Sequence, residues 1–431
     1  MASNYAAARQ KFVDMINAGA TLGIPFIQKK VNVGKKFITE ESRSSGIIHI
    51  GMGAGGTGGV ESLTDAVSGG PSTGALDRTT DAANGKGSAS YQDEAFYAKN
   101  GWEYLERTPL EKIFEIGNID ENIIRPRVAH LCQNVEKDLV TRNFTRAGGA
   151  TVSSVIAFGA LGKAMSMLET IKSIGNWTGF MSPMLKSILC NSALDKSNGM
   201  DVPDNILKEM YGKYAMGIYS NAEWVNEPFM PRFAAGMLNT TDGANDALSV
   251  KTEVSTQGAA SIVITGFSSS GTIKKGTPFS IKGVYDVSSA GLKMEWEKVF
   301  IAQEDAAVSG GDATVKVLPI YFNDDSKGYR NNLFADNSKI ASGAKIIPLI
   351  AANKHYDLAF LKEDEALNWT PFELEDVEGC KNTTTSTDDL TVQLCSGGSL
   401  LTRKNSMRLD CPYFGDIVKP QSCRLIFVQI D

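Results

Sequence analysis

Hydrophobic positions along the chain follow a helical period first and an alternating one later. Between Ile119 and Phe144, the residues Ile124, Val128, Leu131, Val135 and Leu139 stand 4, 3, 4 and 4 apart, the single stripe of an amphipathic helix. Pro126 fits the first turn, where its missing N–H costs little, and the helix would run about 27 Å at 1.5 Å per residue. Gly148-Gly149 would end it. Thr151 is placed to cap a second helix through Ser173, with Val152, Val155, Leu161, Met165 and Leu168 inward. Two further helical stretches are expected at 181–193 and 203–216.

Near Thr240 the period changes to two. LSVKTEV, ASIVITGF, TPFSIKGVYDV, KVFIAQ and TVKVLPI are strand-like runs parted by Gly, Ser, Asp and Lys turns. Residues 226–350 therefore read as an antiparallel β-domain. It is inserted, because YDLAFLKEDEALN (356–368) is expected to resume helix and 390–431 to add strands. The fold class is α+β. Ahead of the long helix, 1–45 reads as an extended arm with a short amphipathic helix at Ala6–Asn17, and 46–100 is rich in Gly, Ser, Thr and Asp. A structureless loop of that length is generally functional or disordered.

Charge narrows the partners. A net charge of −6 over 431 residues argues against a general nucleic-acid clamp, which needs a basic stripe, and leaves room for a protein that encloses DNA without gripping it. The N-terminus lacks the basic and apolar regions of a secretory signal. No run approaches the roughly 18 apolar residues of a membrane span, so a cytoplasmic product is expected. The six cysteines, Cys132, Cys190, Cys380, Cys395, Cys411 and Cys423, form no C-x-x-C pair and read as small buried thiols. A Cys380–Cys395 bridge is conceivable but disfavoured in a reducing compartment.

The sharpest chemical pattern is IIHIGMGAGGTGG at 47–59, where Gly51, Gly53 and Gly56 match G-x-G-x-x-G. A dinucleotide fold also needs a helix behind the glycines and a parallel sheet beyond it. VESLTDAVSGGP offers only two or three turns, and no strand–helix alternation follows. Asp77 stands near the distance of a ribose contact but in a polar run. A stretch this dense in glycine matches the spacing by chance, so a loop made for reach is the better reading. Other constellations are weaker. His49, His130 and His355 are far apart in sequence, and His130 sits beside the helical stripe as a structural side chain. Asn84-Gly85-Lys86-Gly87-Ser88 lacks the upstream glycine of a phosphate loop. Asn323–Gly328 begins like a calcium loop, but Lys327 occupies a ligand position and no Glu closes it. No catalytic residue, metal ligand or cofactor is expected.

The order of parts resembles the major capsid proteins of tailed double-stranded DNA phages, the Hong Kong 97 type, and within them the coat-protein family of the Salmonella phage P-22. GIYSNAEWVNEPFMP (217–231) resembles the family's approach to its inserted domain, and SGTIKKGTPFSIKGVYDV (270–287) the inserted barrel's strand–turn–strand. HYDLAFLKEDEALN (355–368) resembles the helix after the insertion. RLDCPYFGDIVKPQSCRLIFV (408–428) resembles the closing segment, with an R-L-D strand, an aromatic-Gly turn, a Pro and a final apolar strand.

The resemblance implies an N-terminal arm (1–45), an extended loop (46–100), a peripheral domain with a spine helix (101–150) and an axial domain (151–225 and 351–395). An inserted barrel (226–350) and C-terminal strands (396–431) complete it. Gly51, Gly53, Gly56 and Gly59 would belong to an intersubunit loop, with Ile47, Ile48 and Ile50 supplying its two-stranded base. Ile124, Val128, Leu131, Val135 and Leu139 would form the spine-helix core. The function implied is a virion shell subunit that assembles with itself, as pentamers and hexamers, in a bacterial host cytoplasm around double-stranded DNA. A separate scaffolding protein and a portal would be partners, with decoration proteins as further ones in some relatives. The alternatives are an encapsulin-type nanocompartment shell, against which the insertion counts, and a nucleotide-binding enzyme.

Overall fold

The computed structural model describes residues 47–53, 91–97, 99–107, 125–154, 158–171, 175–195, 218–239, 248–256, 259–288, 293–318, 333–335, 339–376, 380–386, 390–399, 404–417 and 419–430. The expectations on 1–46, 54–90, 203–216 and 323–328, and on Ile124, lie outside them. Strands β1 (Ile47–Gly53), β2 (Tyr91–Tyr97) and β3 (Lys99–Arg107) precede helix α1 (Arg125–Asn143). Then come β4 (Ala150–Ser153), α2 (Phe158–Ile171), β5 (Trp177–Met181) and α3 (Pro183–Asp195). Strands β6 (Ile218–Tyr219), β7 (Ala222–Asn226) and β8 (Arg232–Ala234) lead to β9 (Ser249–Val250), β10 (Ser261–Thr265) and β11 (Gly271–Ile273). These are followed by β12 (Pro278–Val287), β13 (Lys293–Ala302), β14 (Ala306–Val308), β15 (Asp312–Leu318), β16 (Leu333–Ala335) and β17 (Ile346–Pro348). The chain closes with β18 (His355–Glu363), β19 (Leu367–Pro371), β20 (Lys381–Ser386), β21 (Thr391–Ser399), β22 (Lys404–Ile417) and β23 (Cys423–Gln429).

The central sheet has the order β4-β23-β18-β5-β7-β6, with β8 also beside β18. Its inner strands are buried on both faces. Leu358 and Phe360 of β18 and Leu425 and Phe427 of β23 join the core that holds α1. Ala359, Leu361, Ile426 and Val428 face the core built from α2 and α3. This overturns the helix expected over 356–368. Residues His355–Glu363 are a strand, and a strand covered on both faces reads as a continuous apolar run without a period. Thr151 likewise caps no helix: it lies in β4, parallel to β23 and opposite Ile426, and α2 begins only at Phe158. Within α2, Leu161, Met165 and Leu168 are buried as their spacing predicts. Helix α3 starts behind Ser182, whose hydroxyl accepts the Leu185 N–H at 3.1 Å.

A second sheet, β19-β22-β21-β20 with β3 on the other side of β22, lies against α1. The expected aromatic-Gly turn is absent, because Tyr413, Phe414 and Gly415 continue β22 and pair with β19. Gly415 serves a close approach: a Cβ there would stand 2.8 Å from the Trp369 ring and 2.9 Å from Leu139 Cδ1. Pro412 falls between the β22 residues that pair with β21 and those that pair with β19, a place suited to a residue without an N–H.

All five alternating runs between 248 and 320 contain strands. They form an antiparallel sheet of order β16-β12-β13-β15-β10-β9, with β17 also on β12. The bridge Ser249–Lys345 brings β9 against the residues before β17, and Ile346 N–H donates to Leu248 O at 2.9 Å. The sheet thus curls into a barrel around Ile262, Ile264, Phe279, Ile281, Phe300, Val315 and Ile346.

Leu131 is 1% exposed in the α1 core. Truncating it to Ala should cost about 2–5 kcal/mol through lost transfer energy and a cavity, read as a lower urea midpoint. An unchanged midpoint would place Leu131 at the surface.

Candidate functional site: hairpin, helix and barrel junction

Strands β1 and β2 pair antiparallel from Ile47↔Tyr97 to Gly53↔Tyr91. Gly51 and Gly53 lie in β1, opposite Asp93 and Tyr91, and Ile47, Ile48 and Ile50 lie opposite Tyr97, Phe96 and Glu94. Gly56 and Gly59 fall outside the described residues. Two residues beyond β2 the chain begins β3, the strand at the side of β22, in register from Lys99↔Tyr413 to Arg107↔Asn405. The two faces of β3 differ. Gly101 faces α1, where a Cβ would meet Val135 Cγ2 at 2.6 Å. Glu103 turns the same way and takes Arg127 at 3.0 Å and His130 from α1. Trp102 and Tyr104 point away and are 60% and 44% exposed. Arg408 of β22 lies over the Trp102 ring at 5.7 Å.

Along α1, Val128, Leu131, Val135 and Leu139 are all buried in one core. A second row was not anticipated: Cys132, Glu136 and Val140, each four residues from the next, are buried too. Burial pushes the Cys132 thiol up to about 12, with Glu136 adding to the effect, so it stays a protonated, inert thiol. His130 contacts Glu103 and, one turn on, Asn134 at 3.3 Å, and remains exposed.

The C-terminal end of α1 is where the barrel docks. The Lys274–Gly276 turn between β11 and β12 sends Lys275 Nζ to Thr141 O at 3.2 Å and over the Phe144 ring at 5.4 Å. A cation suits the carbonyl end of a helix. Burial, helped by nearby Arg142, lowers the Lys275 pKa. Gly276 has φ +94, and a Cβ on it would press within 3.2 Å of Phe144 and 3.3 Å of Phe233, so glycine is required twice over. Next to it, Gln303 Nε2 donates to Thr145 O at 2.9 Å.

A buried ion cluster makes the second attachment. Asp286 on β12 accepts from Lys298 Nζ on β13 at 2.6 Å and from Arg424 Nη2 on β23 at 2.9 Å, with all three side chains at most 4% exposed. Burial works against the Asp286 charge, yet Lys298 and Arg424 hold its carboxyl below the usual carboxylate range. Gly149 admits the guanidinium, since a Cβ there would lie 2.6 Å from Arg424 Nη1. Gly148 N–H donates to Pro420 O at 2.6 Å. The glycine pair expected to end the helix does not do so, because α1 already stops at Asn143; it lets β23 pass instead.

Among the described residues no three His, Cys, Asp or Glu side chains come together to hold a metal ion. No described helix is long and apolar enough to cross a membrane. The concentration of specific contacts lies at the junction of hairpin strand, α1 and barrel. It is built to fix shapes relative to one another.

Removing one member of the ion cluster strands the others. Asp286→Asn should cost about 3–5 kcal/mol, whereas Asp286→Leu combined with Lys298→Met and Arg424→Met should recover most of that loss. Denaturant midpoints measure both. A single variant as stable as the wild type would show that the charges are solvated rather than buried.

No protein-family model and no curated protein matches the chain. Among solved structures it is similar to a protein of Mycobacterium phage Che8, at 8% identity and a TM-score of 0.36 over 92% of this chain and 91% of the other. It is similar to the mature capsid of bacteriophage PhiM1, at 7% identity and a TM-score of 0.39 over 89% and 82%. A third similarity is to the acid-stable capsid of Helicobacter pylori bacteriophage KHP30, at 10% identity and a TM-score of 0.39 over 90% and 86%.

Proposed function

We propose that the chain is a shell-forming subunit of a tailed-phage head with the Hong Kong 97 type of layout. The observation that carries this reading is the hairpin. Strands β1 and β2 form a two-stranded sheet of their own, yet β2 runs almost directly into β3, which α1 holds in place. A lone two-stranded hairpin is marginal in water. Rooted on a rigid base, it gains stability by lying on a second surface, and a neighbouring copy supplies one in a closed shell. The glycines of 51–59 then serve reach rather than phosphate binding.

In this reading α1 is the spine and the central sheet with α2 and α3 is the axial domain. The barrel of 249–348 is a folding and contact module on the side. Subunits assemble as pentamers and hexamers around double-stranded DNA, with a separate scaffold and a portal, in the host cytoplasm. The interior has no need of a basic clamp, in keeping with the net charge of −6. The barrel distinguishes the chain from a plain nanocompartment shell, and the P-22 group is the family member it resembles in order of parts.

Electron microscopy of the concentrated protein, with and without co-expressed phage scaffold, should reveal closed particles. Amides of 47–53 and 91–97 should exchange fast in free subunits and at least tenfold more slowly in particles. Protein that never forms particles, and whose micromolar NAD binding is abolished by Gly53→Val, would replace this function with that of an enzyme. Equal exchange in both states would leave the shell standing and remove the hairpin from its contacts.

A further inference from the structure

The buried cluster at the barrel's attachment sets two cations against one carboxylate. Asp286 takes Lys298 Nζ at 2.6 Å and Arg424 Nη2 at 2.9 Å, and among the described residues neither cation has a second ion pair. With all three groups ionised, the cluster carries one positive charge in excess. A charge buried without a counter-ion is costly. Two donors beside it are unsatisfied as well: Arg424 Nη1 and Thr151 Oγ1 are buried and have no hydrogen-bond partner among the described residues. Buried polar groups are as a rule paired.

The fold brings these two donors to one place. Arg424 shares its face of β23 with Ile426 and Val428, which line the core of α2 and α3, whereas Leu425 and Phe427 turn to α1. Strand β4 runs parallel to β23, with Ala150 beside Leu425 and Thr151 beside Ile426. Ala150 joins the α1 core, so Gly149 and Thr151 lie on the side of Arg424. Nη1 fills the space over Gly149, 2.6 Å from where its Cβ would stand. Thr151 is the next residue on that face, about 6.6 Å further along the strand. That spacing is about twice the length of one hydrogen bond, so a single acceptor between them can receive an N–H and an O–H. Strand β13, which carries Lys298, packs against β4 from the barrel's side.

We propose that the joint between the central sheet and the barrel binds one small monovalent anion, a halide such as chloride, between Arg424 Nη1 and the Thr151 hydroxyl. The ion's charge matches the single charge in excess, and the burial of every group around it suits a small sphere rather than a phosphate or a carboxylate. Loss of the Lys298 proton would also neutralise the cluster, and burial pulls the Lys298 pKa down while Asp286 pulls it up. That route leaves both donors unpaired, whereas the anion pairs them. A water molecule would accept from both donors but leave the charge in place. The anion completes the barrel's attachment and binds the folded chain alone, so it adds to stability by mass action. The site belongs to a single subunit and does not depend on shell formation.

Urea unfolding of the full chain at constant ionic strength, with sodium gluconate replaced stepwise by sodium chloride, tests the site. The midpoint should rise with chloride, in proportion to its logarithm once the site fills, and bromide should act as chloride does. Equal midpoints in gluconate and chloride would leave only a water at the site and overturn the proposal. The variant that combines Asp286→Leu, Lys298→Met and Arg424→Met has neither the excess charge nor the guanidinium and should lose the response; an undiminished response there would overturn the proposal too. Should that variant fail to fold, Thr151→Val removes one donor with little change of shape and should weaken the response, and an unchanged response refutes the site. Crystals grown in sodium bromide locate the ion directly: an anomalous bromine peak between Arg424 and Thr151 supports it, and none there overturns it.

Discussion

The packing of α1 onto the sheet of β3 and β22 is the constraint on which the rest hangs. Two glycines set its closeness: at Gly101 a Cβ would come within 2.6 Å of Val135, and at Gly415 within 2.9 Å of Leu139. Sheet and helix therefore meet backbone to side chain, with no layer between. Interiors packed this tightly transmit displacement rather than absorb it. The hairpin's base, the exposed Trp102 and the barrel's Lys275 turn are all positioned through that one contact.

The barrel is tied to this base by polar groups that leave little freedom. A buried cluster such as Asp286, Lys298 and Arg424 adds little net stability compared with an apolar core of the same shape. Its effect is orientational, because each charge is satisfied in one arrangement only. Lys275 on the Thr141 carbonyl and Gln303 on the Thr145 carbonyl read the C-terminal end of α1 in the same manner.

Such an organisation suits a subunit whose work is geometric. A shell subunit must hold one shape well enough to repeat it, yet present a hairpin whose two strands, among the described residues, pair with no third strand. The described residues concentrate their specific contacts at joints between structural units. Trp102 and Tyr104, 60% and 44% exposed, lie on β3 close to where the hairpin springs, against Arg408 and Ser406 of β22.

What the sequence by itself determined were the elements buried on one face. The stripe Val128, Leu131, Val135 and Leu139 has the helical period because one side of α1 meets the core, and the barrel strands alternate because one side of each lines its interior. Tertiary structure alone decided the rest. His355–Glu363 is covered on both faces, so its apolar run carries no period to tell strand from helix. Gly148, Gly149 and Gly415 look like punctuation in sequence, but their use depends on which backbone or side chain arrives from elsewhere. Glu136 looks in sequence like an ordinary surface glutamate beside an apolar stripe, yet the fold buries it completely. Arg424 and Asp286, 138 residues apart, have no local signature at all, because a charge pair across that distance exists only once folding has paid the cost of closing the loop between them.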